Sequence, residues 1–453
     1  MANLKDLALQ LFHRTLAAID IPRAIQRNLS LRGATLSSGD DEFYLQGFTR
    51  IRVVAVGKGA RPMVEGLLTV LPRGLPLEGL VISPPEAAHS EKHSAAPLSG
   101  WQYFSSGHPV PDHHSWRAAE TVLTLLSACD ARTLVFFLLS GGGSSLMELP
   151  LNPAQTLADV QQIHRALVTC GAPIDAMNTV RKHLSAVKGG RLAVAAGDAT
   201  KITLAVSDVP AGKESALASG PTIADPTTLA DFARVVREYA LAAKFPTSVR
   251  EWLAAGKMPE TPKHGHPAFA NAHFSLVLGL DDLFHPAHHH AEALGCVACC
   301  DNTTDDWPVE QATEYLLRQL SELRKAHPGR HVAVIADGEL SSPVTGNGVG
   351  GRNSAFVLAC VPKIAGKPIA VLSAGTDGMD GNSPAAGAVA DGTTLSRAQT
   401  KNLDVAEFFQ RSDAYSYFAR LHDAIVTGPT GNNLRDLRIL LAAPEDEHTP
   451  PLT

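Results

Sequence analysis

The chain has 453 residues, of which 45% are hydrophobic and 19% charged, with a formal net charge of −6. At roughly 150 residues per domain this length provides for two or three domains, and the composition excludes a fibrous or disordered chain. A mildly acidic chain also lacks the basic footprint of a nucleic-acid binder, so no nucleic-acid partner is expected. Six cysteines (Cys129, Cys170, Cys296, Cys299, Cys300 and Cys360) are thinly spread, which suits a reducing compartment better than a disulfide framework. The longest strongly apolar run lies near Thr133–Leu139, far short of the ~18 residues of a membrane span. Lys5 and Asp6 lead into Leu4, Leu7, Leu11 and Phe12 on one helical face rather than a signal peptide. A cytoplasmic protein with no membrane partner is expected.

In chain order, a helical region from Leu4 to Asn28 precedes a glycine- and serine-rich loop and a strand at Arg52–Val56. Gly57-Lys58-Gly59-Ala60 opens the next helix, and further strands are expected at Gly79–Ser83, Thr133–Leu139 and Lys201–Val206, with a helix at Leu157–Thr169. Short apolar strands alternating with helices indicate a parallel sheet covered on both faces. Residues 246–269 are rich in Pro, Gly, Lys and His and read as a linker between domains at 1–245 and 270–445. The second set comprises Phe274–Leu280, a helix near Ala287–Leu294, Val297–Cys300, a helix at Glu310–Lys325, Val332–Ala336 and Ile369–Ser373. The fold class expected is therefore two-domain α/β.

Polar, glycine-rich segments follow the strands: Gly57-Lys58-Gly59, Ser140-Gly141-Gly142-Gly143-Ser144-Ser145, Ser207-Asp208-Val209-Pro210, and Ala374 through Asp377 and Asp380 to Gly381. In open α/β sheets ligands bind beyond the carboxyl ends of the strands, and glycines admit anions close to the backbone. The segment Gly346–Gly351 fits G-x-G-x-x-G, but it begins about ten residues after its strand, whereas a dinucleotide fingerprint follows at once. It better suits a phosphate-holding loop that supplies Arg352, with Gly351 and Asn353 beside it. Arg181, Ser185 and Lys188 fall at i, i+4 and i+7, so one helix face could offer charge to an anion. Asp208, Asp377 and Asp380 are candidate Mg²⁺ carboxylates, since Mg²⁺ takes only one or two protein ligands. His285, His288, His289 and His290 with Cys296, Cys299 and Cys300 lack a complete zinc spacing and read as a surface histidine run. No P-loop, H-E-x-x-H or G-x-S-x-G motif is present.

Nine segments occur in a telling order: Gly57–Gly59, Gly107-His108-Pro109-Val110-Pro111, Ser140–Ser145, Asn178–Arg191, Ser207–Pro210, Ala218–Thr222, Gly350–Asn353, Gly375–Gly378 and Gly428–Gly431. The series resembles the glycerate 2-kinase family with a C-terminal MOFRL domain, from the first helix to about Leu441. The resemblance implies a Rossmann-like N-terminal domain, an α/β MOFRL domain and an active site in the cleft between them. It further implies ATP- and Mg²⁺-dependent phosphorylation of D-glycerate on its 2-hydroxyl. At matching positions Lys58 and Arg352 would bind phosphate, Asp208 would be a catalytic or metal carboxylate, and Asp377 a further metal or base candidate. The substrate carboxylate would rest on the Ser140–Ser145 amides or on a spare cation such as Lys188, with a homodimer the candidate assembly. The chain departs from the family at Ala211-Gly212-Lys213 in place of Gly-Asp-Asp, at Ser354-Ala355 in place of Gln-Glu, at Pro384, and at Asn432-Asn433-Leu434-Arg435. Two alternatives stay open: a hydroxypyruvate reductase, and a metabolite-binding paralogue without catalysis.

Overall fold

The structure is a computed structural model that describes residues 3–85, 100–207, 209, 212–432 and 434–444. The chain forms two compact units, Ile21–Gly279 and Met1–Asp20 with Leu280–Thr453. In the first unit β1 (Leu29–Arg32), β2 (Thr35–Ser38) and β3 (Asp41–Tyr44) make a small antiparallel sheet. The main sheet contains β4 (Arg50–Val56), β5 (Leu77–Ser83), β6 (Trp101–Ser105), β7 (Thr133–Leu139), β8 (Thr200–Val206) and β9 (Ala272–Leu278). All are parallel, in the order β6-β5-β4-β7-β8-β9. The chain thus builds outward from β4 to β6, returns across the sheet, and builds the other way from β7. That is the doubly wound order, and its reversal lies between β4 and β7.

The sequence explains this placement. Every residue of β7 is buried, as a central strand covered by helices on both faces requires. Val54, Val56, Val135, Phe137 and Leu139 share one face of the sheet and pack on Ala118, Val122 and Leu126 of the helix His113–Ser127. That helix begins with Asp112 in a reciprocal capping box with Ser115, and Leu157–Val168 begins likewise with Thr156 and Asp159.

The second unit has a mixed sheet of β10 (Val297–Cys300), β11 (Val332–Asp337), β12 (Ile369–Gly375), β13 (Gly387–Asp391), β14 (Ala424–Ile425) and β15 (Asp436–Ala442). Its order is β10-β11-β15-β12-β13-β14. The last strand is inserted at the centre, antiparallel to both β11 and β12. It is wholly buried and carries Arg438 into the core, where the guanidinium donates to the carbonyls of Asp337 and Gly338.

Three expectations are corrected. The region Leu4–Asn28 is two helices, Leu4–Ala18 and Ile21–Asn28, and they belong to different units. Pro22 at the start of the second explains the break, because it supplies no amide hydrogen to continue the first. The loop expected before β4 holds β1–β3, whose turns use Gly33 and Gly39 at positive φ. Residues 246–269 are not a linker: they contain the helix Thr247–Ala254 and lie inside the first unit, and the following strand, β9, completes the first sheet. Pro- and Gly-rich composition marks chain turns, and turns occur within domains as well as between them. All six cysteines are free thiols, and no helix among the described residues is long and apolar enough to cross a membrane.

Candidate functional site

Parallel strands put their carboxyl ends on one edge, so the loops after β4, β6 and β7 gather there. The loops after β4 and β7 flank the reversal, and they are joined by hydrogen bonds. The Lys58 amide donates to the Gly141 carbonyl at 3.0 Å, and the Gly59 amide to Ser140 Oγ at 2.9 Å. Gly57 has φ +128°, and a Cβ there would run into Ser140, 2.6 Å from its carbonyl oxygen. Only glycine permits this approach. Lys58 then precedes the helix Ala60–Val70, whose N-terminal dipole adds to the lysine charge to favour an anion. From the loop after β6, His108 Nδ1 lies 2.8 Å from Ser145 Oγ. His108 was visible in the sequence only as part of a motif, without a role. Asp208 lies outside the described residues.

Lys188 faces a carboxylate inside the protein. It is 1% exposed, and its ammonium donates to Glu148 Oε2 at 2.5 Å and to the Met147 carbonyl at 3.3 Å. Ser185 Oγ donates to Glu148 Oε1 at 2.6 Å, and His164 Nε2 lies 3.3 Å from Oε2. The helix ends at Leu184, with Ser185 in extended backbone, so Arg181, Ser185 and Lys188 do not share a helix face. Ser185 and Lys188 meet instead at an internal anion, the Glu148 carboxylate, while Arg181 Nη1 donates to Asn178 Oδ1 at 3.3 Å. Burial pushes that carboxyl up, but Lys188 and the His164 contact outweigh it and hold it at about 2.

The second unit also spends expected ligand sites on itself. In the segment 346–351 the Gly348 amide donates to the Arg411 carbonyl, Val349 to Asp413 Oδ1, Gly350 to Asn382 Oδ1 and Gly351 to Ser354 Oγ. These donors are occupied, so the glycines serve close packing rather than a phosphate cradle. Asp380, expected as a metal ligand, is 2% exposed and caps the helix Arg352–Ile364. Its oxygens accept the amides of Asn353 and Ser354, both at 2.9 Å, and Ser354 Oγ at 2.6 Å. Burial raises its carboxyl above the usual range against those bonds. Asn353 is buried too, with its Oδ1 accepting from Ser373 Oγ at 2.5 Å. Asp380, Gly351 and Asn353 are therefore parts of a helix cap.

Arg352 is partly exposed and reaches outward from that cap. Its Nε donates to Asp436 Oδ2 at 2.5 Å and its Nη1 to Glu339 Oε2 at 2.7 Å. Burial works against its charge, but the two carboxylates overcome that and raise its pKa. Asp436 is buried at the first position of β15, and Glu339 lies just past β11. Neither was singled out from sequence, because only the antiparallel pairing of β15 with β11 and β12 brings them to Arg352. Asp377, in the loop after β12, accepts the Met379 amide at 2.9 Å. The histidine run lies on the helix Asp281–Ala293. No group of three or more His, Cys, Asp or Glu side chains among the described residues is arranged to hold a metal ion.

A doubly wound sheet with a lysine-bearing glycine loop at its reversal, and a mixed-sheet unit with a carboxylate-held arginine, define a two-unit α/β enzyme. The family model described as "Domain of unknown function (DUF4147)" matches residues 7–254, and the MOFRL family model matches residues 332–436. A D-glycerate 2-kinase from Thermotoga maritima is 32% identical over 440 residues, spanning 96% of this chain and 98% of its own. A protein from Agrobacterium vitis named putative hydroxypyruvate reductase is 36% identical over 397 residues, covering 86% and 87% respectively. The crystal structure of the Thermotoga maritima glycerate kinase matches with a TM-score of 0.81 at 32% identity, covering 98% of this chain and all of that one. This chain belongs to the glycerate 2-kinase family.

Two outcomes follow from the geometry. Gly57→Ala should lower kcat/KM by at least ~10-fold and reduce the melting temperature, since the methyl group must separate the two loops; wild-type values for both would refute the contact. Glu148 has a folded-state pKa of about 2 against an ordinary 4.5. A depressed carboxyl stabilises the fold fully above its unfolded value, and that contribution is lost as pH falls from 4.5 toward 2. Glu148→Gln should therefore flatten the acid limb of urea-unfolding midpoints over that window.

Proposed function

We propose that this chain transfers a phosphoryl group from ATP to the 2-hydroxyl of D-glycerate, or of a closely related small hydroxy acid, in the cytoplasm. The observation that carries the reading is the joined pair of glycine loops at the sheet reversal, with Lys58 leading into a helix N-terminus. Full-length similarity to a D-glycerate 2-kinase supports it. Phosphoryl transfer asks the protein mainly to position its reactants and to offset negative charge on the phosphates. Lys58 and Arg352 would carry that charge. The Ser140–Ser145 loop would receive the substrate carboxylate, leaving the 2-hydroxyl to the transferred phosphate.

Mg²⁺ fits the donor chemistry, because a single hard carboxylate suffices when phosphates and waters fill its other positions. Asp208 or Asp377 would supply that carboxylate, and the ion when bound would neutralise charge on the phosphate oxygens. Asp380 is not assigned to it, since its oxygens cap a helix.

The reductase reading is less well supported. The turn after β4 runs Gly57-Lys58-Gly59-Ala60-Arg61-Pro62, with proline where a dinucleotide fingerprint closes on Gly or Ala.

Purified protein incubated with Mg·ATP and D-glycerate, coupled to enolase without a mutase, should give signal. NADPH or NADH oxidation with hydroxypyruvate would favour the reductase, and glycerate binding without ADP release the non-catalytic paralogue. Lys58→Ala and Arg352→Ala should each lower kcat by at least ~10²-fold if they stabilise the transferring phosphate. Asp436→Asn should lower kcat about tenfold by loosening Arg352; turnover at the wild-type rate would remove Asp436 from that role.

A further inference from the structure

We infer that the buried Glu148–Lys188 pair is a positioning device for the Ser140–Ser145 loop, and so governs substrate affinity without touching substrate. The inference rests on the reading that this loop holds the substrate carboxylate. The loop passes into the one-turn helix Gly143–Leu146 and then directly into Met147 and Glu148. From there the chain is stitched to the segment following the helix Ile174–Leu184. The Leu151 amide donates to the Leu184 carbonyl, and the Ala186 amide to the Leu149 carbonyl, both at 2.8 Å. Lys188 grips both the Met147 carbonyl and the Glu148 carboxylate.

The front of the same turn is tied to the same element. Ser144 Oγ lies 2.9 Å from Ser219 Oγ, which donates to Asn178 Oδ1 at 2.9 Å, and Arg181 Nη1 donates to that oxygen at 3.3 Å. Residues 178–188 therefore hold the loop's short helix at both ends. Around Glu148, the polar side chains of Gln155, His164, Arg181 and Ser185, together with Pro150, Val160, Ile163 and Leu184, line a cavity of about 20 Å³, the room of a single water.

The choice of an ion pair here is informative. Burying two charges costs desolvation that apolar residues of equal volume would avoid, so the pair is weak evidence for stability. Its bonds are directional: Glu148 receives Ser185 Oγ and the Leu149 amide on one oxygen, and Lys188 with His164 faces the other. Four partners fix the orientation of one carboxylate, and the backbone beside it carries that orientation to Ser145 two residues before Met147. Asn178, Arg181, Ser185 and Lys188 of the basic segment are all consumed in this framework.

The test compares the single variants Glu148→Gln and Lys188→Met with the double variant. Each single variant leaves a buried partner without its counterion and should lower the melting temperature. The double variant removes both charges and should recover much of that loss. Positioning predicts that the double variant still shows faster hydrogen exchange across residues 140–149. It also predicts a KM for D-glycerate raised about tenfold, more than kcat falls. A double variant with a recovered melting temperature, wild-type exchange and wild-type KM would overturn the inference. Should the double variant not fold, Glu148→Gln alone decides on the same two measurements. If the wild-type protein makes no ADP from D-glycerate, the kinase reading fails, and loop exchange still decides the positioning role.

Discussion

The first unit depends on the approach of Gly57 to Ser140. Two strands of a parallel sheet send their chains in opposite directions at this point, and the loops that leave them can meet this closely only because Gly57 carries no side chain toward Ser140. A methyl group at Gly57 would sit 2.6 Å from the Ser140 carbonyl oxygen, well inside van der Waals contact. Because the loops touch, Lys58, the helix behind it and the Ser140–Ser145 turn are held in one place on the carboxyl edge of the sheet. Wholly buried β7 is the mechanical support for that contact.

Much of the charge that looked available for ligands is matched inside the protein. Lys188 and Ser185 face Glu148, the N-terminus of the helix Arg352–Ile364 faces Asp380, and Arg352 faces Asp436 and Glu339. The common reason is that a buried charge or an unpaired amide is expensive, so the fold supplies a partner wherever solvent is excluded. A basic stretch or a glycine run in sequence is therefore ambiguous. Lys58 and Arg352 differ from Lys188 in burial, since Lys188 is enclosed while Arg352 keeps part of its guanidinium at the surface.

The parallel first sheet was legible because its strands are short apolar runs separated by helical periodicity, and β7 was placed to the residue. The glycine loops were legible for the same reason, as each follows such a run. What escaped was whatever depended on distant pairing. Phe274–Leu278 has the pattern of any half-buried strand, and nothing local says that it extends the first sheet. Asp436 and Glu339 are nearly a hundred residues apart and meet at Arg352 only through the insertion of β15 between β11 and β12. The small sheet β1–β3 was read as a loop because its strands are four residues each and rich in polar side chains.

By itself the sequence determined the α/β class, the order of the motifs and the family they mark, since these follow from local periodicity and from residue types at fixed spacing. It also determined that Gly57 and Lys58 stand at a strand end, where the backbone can receive an anion. Only the tertiary structure decided which charges face inward. The same lysine or aspartate is a ligand when its strand end is open and a structural counterion when another segment closes over it, and closure is a property of packing. Lys188, Asp380 and Asn353 moved from the first group to the second on that ground, and Glu148 and Asp436 gained their roles by it.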